Sequence, residues 1–240
     1  MRIMPPEEFV RTKTSDTLVI FGSGPSINEI NGDQWEALNN CDSIGFNFFF
    51  KGGVETTYYL VREQCCSPKK FFPDQTDMIF IAGMRHASAI KIVSAMRHRP
   101  ENFQWADHTD LISGAGIVLQ DLPGKVGARD FKDDIFSVGL HHGKSTLTNC
   151  IHFAVGMGYK EIIFAGVDLN NSGCYWLPKG EVNMMTKAEG RKYGDPHLTL
   201  GNTLKLVKML QGESVIKMSV VGTDSALCKI LKTWRCYEEE

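Results

Sequence analysis

The sequence predicts an α/β protein, one doubly wound, mostly parallel sheet with a lid segment at about 170–196. Three observations predict it. The stretch 143–169, GKSTLTNCIHFAVGMGYKEIIFAGVDL, reads as loop, helix, strand and polar strand end. Within it, Glu161 to Val167 is an almost unbroken apolar run, the mark of a strand buried on both faces. Near the amino terminus, Thr17 to Phe21 (TLVIF) ends on a glycine turn, Gly22-Ser23-Gly24-Pro25-Ser26, and a helical stretch follows. Ligands of open parallel sheets collect at the carboxyl ends of the strands. Asp168, Asn170 and Asn171 stand at such an end, and the glycine turn at another.

Size and composition are consistent with this class. The 240 residues suit a single domain, 1–240, with 42% hydrophobic and 22% charged residues. A formal net charge of -2 argues against a general nucleic-acid binder. No run of about 18 apolar residues is present, so no transmembrane segment is expected. The first residues, MRIMPPEEFVRTK, lack an apolar signal core, which makes the cytoplasm the expected compartment. Seven cysteines without CxxC spacing predict neither a disulfide framework nor a zinc site.

Taken in order, the first strand and glycine turn lead into INEINGDQWEALNN, read as a helix. Glycines let a backbone approach a ligand closely, and amides at a helix start hold phosphate. The full GxGxxG fingerprint is absent, because Ile27 stands where the third glycine would be. A tight strand-to-helix turn uses the same glycines. Asp42 to Phe50 (DSIGFNFFF) is a second strand interrupted by Asn47, whose amide can read a sugar or base edge or pair with nearby backbone. Thr57 to Val61 is a third strand, ending in Arg62 and Glu63. Met78 to Ala82 is a fourth, and SAIKIVSAMRHR (88–99) a helix stopped by Pro100. From Glu101 to Lys132 the pattern dissolves apart from short apolar islands such as GIVLQ. Asp134 to Gly139 returns as a strand before the central helix. After Asp168, the stretch 170–196 is irregular and long enough to be a lid. His197 to Leu210 is a helix with its entry, Val215 to Val221 a last strand, and Ser225 to Trp234 a terminal helix.

A phosphate-binding P-loop is imitated at Gly139-Leu-His-His-Gly143-Lys144-Ser145-Thr146. The spacing argues against it, since only three residues separate the glycines where the loop needs four, and Val138 stands where the first glycine should be. Ser145 and Thr146 remain helix-start residues whose hydroxyls and following amides bind an anion or simply cap the helix.

The segments FGSGPSINEI, FNFFF, YYLVREQCCSPKKFF, STLTNCIHFAVGMGYKEIIFAGVDL and DPHLTLGNT, in this order, resemble the bacterial lipooligosaccharide sialyltransferases that use CMP-sialic acid. The same core also resembles a wider superfamily that includes the archaeal-type hydroxymethylpterin diphosphokinase. The sialyltransferase resemblance implies a Rossmann-like, glycosyltransferase-A variant fold. It also implies a sugar transferred from a CMP-activated donor to a glycan acceptor hydroxyl, with no metal or cofactor. The glycine turn and the asparagine after the second strand contact the nucleotide in that family, which implies Ser23, Gly24 and Asn47. The start of the central helix contacts the donor, implying Ser145 and Thr146. A histidine after the lid is the general base, implying His197, with His141 and His142 as competitors on the loop before the central helix. Lid tyrosines support the departing phosphate. Asn170 stands at the first, and Tyr175 or Trp176 near the second. With the neighbouring strand-end residues Gly22, Pro25, Ser26, Arg62 and Asp168, these complete the expected site. Departures from the family pattern lie at Ser23, where the family carries Asn, and in the lid. A diphosphokinase and a non-catalytic nucleotide-binding relative are the alternatives. Peripheral contact with the inner face of the membrane and a homo-oligomer are left open.

Overall fold

The computed structural model describes residues 1–47, 49–62, 88–95, 105–124, 127–143, 145–169, 175, 196–223 and 225–236. A single sheet organises them. Its strands are β1 (Arg2–Ile3), β2 (Thr17–Phe21), β3 (Asp42–Phe46), β4 (Tyr58–Arg62), β5 (Ile90–Ala95), β6 (Ala115–Leu122), β7 (Leu140–His141), β8 (Glu161–Ala165), β9 (Lys217–Val220) and β10 (Lys232–Thr233). Their order is β1-β6-β5-β4-β3-β2-β8-β9-β10, with β7 also paired to β6. Every pairing among the described residues is parallel. From β2 the chain winds outward through β3 and β4 on one side, and from β8 through β9 and β10 on the other. The order therefore reverses between β2 and β8, which is the place where doubly wound sheets bind ligands.

Apolar runs without alternation explain why both faces are covered. Leu18 and Ile20 on β2 point into the same core as Ile162 and Phe164 of β8, while Val19 joins Ile163 on the opposite face. The first face is closed by two helices, α3 (Thr146–Gly156) through Ile151 and Phe153, and α4 (Pro196–Gly212) through Leu206, Val207 and Leu210. On the second face, α2 (Gly32–Asn39) contributes Leu38 and the partly buried Trp35. The short α1 (Pro6–Val10) buries Phe9 against Tyr58 and Phe153. Asn31 starts α2 with a capping box: its side chain accepts from the Gln34 amide at 2.9 Å, and Gln34 reaches back to the Asn31 amide at 3.1 Å.

The amino edge of the sheet is held by one carboxylate. Asp42 accepts hydrogen bonds from the Thr14 amide (2.8 Å), the Thr14 hydroxyl (2.6 Å), the Ser15 amide (3.1 Å) and the Tyr159 hydroxyl (2.8 Å).

Four expectations are corrected. The stretch 88–99, read as a helix, contains β5, whose Lys91 to Ala95 are all buried. GIVLQ belongs to β6, an eight-residue strand, where only an apolar island was seen. The strand expected at 134–139 is a turn, and the extended pair is Leu140–His141. In place of a terminal helix at 225–234 there is a short 3-10 turn at Ala226–Lys229, then β10. The strand expected at Met78 to Ala82 lies outside the described residues.

Candidate functional site

The glycine turn closes against β8 so tightly that only glycine fits. The Gly22 amide donates to Ala165 C=O at 2.8 Å and the Gly24 amide to Gly166 C=O at 2.7 Å. A Cβ at Gly22 would stand 2.3 Å from the Gly166 oxygen, and one at Gly24 would stand 2.3 Å from Asp168 Oδ2. Asp168 clips the turn from behind. Its Oδ2 accepts from the Ser26 amide at 3.0 Å, its Oδ1 from the Ser26 hydroxyl, and both side chains are buried. The Asp168 carbonyl accepts from the Ala226 amide at 2.9 Å, so the segment after β9 is fixed to the same point. Pro25 begins a 3-10 turn, Pro25–Glu29, with its preset φ.

Tyr175 ties this turn to the end of β3. Its amide donates to Ser23 C=O at 3.0 Å, and Asn28 Nδ2 donates to Tyr175 C=O at 3.0 Å. The phenol donates to Phe49 C=O at 2.9 Å while the rings pack at 5.5 Å. Tyr175 lines a cavity of about 450 Å³ together with Ile27, Asn28, Ile30, Trp35, Gly52 and Val54. The family resemblance placed Tyr175 or Trp176 near a departing phosphate; the structure has the Tyr175 hydroxyl donating to the Phe49 carbonyl.

The remaining strand ends carry the rest of the expected site. Asn47 follows β3 in the left-handed region, φ 55°, with its side chain exposed and its carbonyl accepting from the Tyr59 hydroxyl at 2.5 Å. Asparagine is one of the few residues that enter this region readily. Arg62 ends β4, and its guanidinium meets Asp121 Oδ2 at 3.2 Å. At the head of α3, Ser145 is the N-cap: its hydroxyl oxygen accepts from the Thr148 amide at 3.3 Å, and its own amide donates to His142 C=O at 3.0 Å. Thr146 is buried. Gly143 precedes the cap at φ 59°, where a Cβ would press on Thr148 Cγ2 at 2.9 Å. The structure thus gathers Gly22 to Ser26, Asp168 and Tyr175 at the ends of β2 and β8. Asn47, Arg62, Ser145 and Thr146 extend the same carboxyl edge. Asn170 and Trp176 lie outside the described residues, as does the lid apart from Tyr175 and Pro196. His197 stands in the first turn of α4, its side chain outside the description.

Sequence reasoning missed the polar residues beneath this edge. Asn149 is fully buried on α3 and connects Asp121 to His142; His152, one turn on, is fully buried too. Burial, then the neighbouring His141, lowers the His152 pKa to about 4, against a smaller opposing pull from Asp130. Its Nδ1 accepts from the His141 amide at 2.9 Å. The signal was available: Asn149 and His152 interrupt an otherwise apolar helix. Among the described residues, Asp130, Asp133 and His141 offer ligand atoms within 4.8 Å of one another, close enough to share a cation. Asp130 already spends Oδ2 on the Gly127 amide at 2.6 Å.

No protein-family model matches the sequence, and no curated protein matches it. Solved structures do match. The monofunctional α-2,3-sialyltransferase Cst-I from Campylobacter jejuni aligns with a TM-score of 0.52 at 11% identity, over 93% of this chain and 83% of that one. The sialyltransferase CstII from the same organism, in complex with the substrate analogue CMP-3FNeuAc, gives 0.51 at 17% identity over 92% and 87%. Its complex with cytidine-5'-monophosphate gives 0.50 at 15% over 92% and 85%. The chain has the fold of these sialyltransferases, a mostly parallel α/β sheet with flanking helices.

Proposed function

We propose that the protein is a glycosyltransferase of the sialyltransferase kind, moving a sugar from a CMP-activated donor, CMP-sialic acid, to a glycan hydroxyl without a metal. One observation carries the reading. The Gly22–Ser26 turn, clipped by Asp168, sits at the point where strand order reverses, in a fold whose solved neighbours include complexes with CMP and a CMP-sugar analogue. The missing side chains at Gly22 and Gly24 let the turn close on β8, which fixes its backbone at this reversal point. The head of α3, capped by Ser145, lies at this carboxyl edge, and its dipole favours an anion such as the CMP phosphate. In the reaction the acceptor oxygen bonds to the anomeric carbon as the bond to the CMP phosphate breaks, and the electron pair departs on CMP. The hydroxyl proton goes to a base, which in this reading is His197.

Thermal unfolding with a nucleotide panel tests the reading. CMP in the presence of a chelator is expected to raise the midpoint, because a ligand that binds only the folded state stabilises it. A shift given by ATP or AMP with magnesium and not by CMP would replace the transferase with a diphosphokinase. CMP binding without any turnover of CMP-sialic acid would leave a nucleotide-binding relative.

A further inference from the structure

One end of the sheet is the short strand β10, and a cavity of about 1170 Å³ opens beside it. Its lining includes Glu161 at the start of β8, Lys217 and Ser219 on β9, and Lys232, Trp234 and Arg235 on and just after β10. Strand geometry puts most of these on one face. Lys217 and Ser219 stand two apart on β9, so their side chains leave the sheet on the same side. Parallel register sets Ser219 beside Ile163 on β8 and beside Lys232 on β10, and Trp234 stands two beyond Lys232. Ile163 and Trp234 both belong to the core of the second face, which identifies the side. The glycine turn is held at the far end of β8, on the Ala165 and Gly166 carbonyls.

Two features of this cavity call for an anion. The first is charge. Glu161 is matched by Lys217, whose Nζ lies 3.3 Å from Oε1. Among the described residues, no carboxylate lies within ion-pair distance of Lys232 or Arg235, so the lining keeps two positive charges in excess. Exposed cations alone are ordinary. The second feature is Ser219, which is 6% exposed and whose hydroxyl oxygen is sealed from solvent without a hydrogen bond. Buried hydroxyls are nearly always paired, and an unmade bond costs free energy. Its in-register neighbours explain the orphan: Ile163 offers no polar group, and Lys232 can only donate. The hydroxyl proton therefore lacks an acceptor. A serine turns readily among staggered rotamers, so that proton can follow an acceptor placed in the cavity.

We propose that the cavity is a second ligand site, for a small molecule that joins an acidic group to a flat apolar ring. Lys232, Arg235 and the Ser219 hydroxyl hold the acid, and the ring lies on Trp234. Guanidinium and ammonium groups bind acids through charge-assisted hydrogen bonds. A half-buried indole offers the flat apolar surface. The site stands apart from the carboxyl edge and does not depend on the transferase reading.

Fluorescence titration with two probes tests it: anilinonaphthalene sulfonate, and phenylnaphthylamine, which has the same rings without the acid. Wild-type protein is expected to bind one sulfonate probe per chain, at least about tenfold more tightly than the neutral probe, and to keep it in saturating CMP. The double variant Lys232→Gln/Arg235→Gln, changed at two exposed positions, should lose that preference, because hydrogen bonds to ionised groups are worth about tenfold or more in affinity. Ser219→Ala should weaken the sulfonate by about threefold to tenfold, as loss of one neutral hydrogen bond predicts. The same variant should raise the urea midpoint of the free protein, since a buried hydroxyl without a partner is removed. Equal binding of the two probes, a preference that survives the double variant, or displacement by CMP overturns the proposal. Wild-type sulfonate affinity in Ser219→Ala overturns it as well, because the acid would then not reach β9.

Discussion

Gly24 shows how one missing Cβ shapes the site. A methyl there would meet Asp168 Oδ2 at 2.3 Å, on the carboxylate that holds Ser26. Gly24→Ala must push that side chain away and break the clip, and overpacking of this kind costs about 1–3 kcal/mol. Gly32, in the first turn of α2, has nothing within 4 Å of a built Cβ. Gly32→Ala should be neutral or stabilising by up to about 1 kcal/mol. Urea midpoints of the two variants check the contrast, and CMP-induced stabilisation should be lost only in Gly24→Ala. Equal midpoints would show that the turn yields without breaking. At His197 the expectation is kinetic. His197→Ala should lower turnover by about 10²- to 10⁴-fold, the range for a general base, with CMP stabilisation intact. Retained turnover would return the role of base to His141 or His142.

At the scale of elements, β5 shows why part of the chain was hard to read. IKIVSA carries a lysine and an alanine, and with the Met and Arg that follow it resembled a helix. In the sheet, Lys91 is fully buried and its ammonium donates to Ala89 C=O. Strand identity here comes from pairing with β4 and β6 on either side, which no local pattern encodes. Burial lowers the Lys91 pKa from 10.5 to about 8. Between those values the unfolded chain holds a proton that the folded chain lacks, so stability rises with pH across about 8 to 10.5, and below that window the burden is full. Lys91→Met should therefore gain about 2 kcal/mol at pH 7 and flatten that rise. Urea titrations at pH 7 and pH 10 decide it: an unchanged slope would mean that the charge is stabilised inside the fold. α3 presents the opposite case. Its stripe, cap and stop were legible, but the carboxylate that Asn149 meets comes from Asp121 on β6, 28 residues away, and joins Leu140 and His142 only once β7 pairs with β6.

For the whole molecule, a parallel sheet has two edges with different work. The doubly wound class and the strands β2, β3, β4, β8 and β9 were legible because buried parallel strands are written as apolar runs. The glycine turn and the cap at Ser145 were legible because turns and caps have local chemistry, whereas the second strand, expected to run to Phe50, stops at Phe46 with Asn47 in the left-handed region. β6 and β10 were not, nor was the Asp121–Asn149–His142 chain, because each depends on neighbours that only the assembled sheet supplies. The division of labour gives the last prediction. Asp42 gathers its donors from Thr14, Ser15 and Tyr159 at the amino edge, at the opposite end of the strands from the glycine turn. Asp42→Asn puts an NH₂ where one of the oxygens accepted, leaving buried donors facing a donor. The loss should be about 2–4 kcal/mol of unfolding free energy. Because strands transmit no such loss to their far ends while folded, CMP affinity of the folded variant, measured well below its midpoint temperature, should stay within about twofold of wild type. A fall in affinity as large as the fall in stability would show that the two edges are coupled through the sheet.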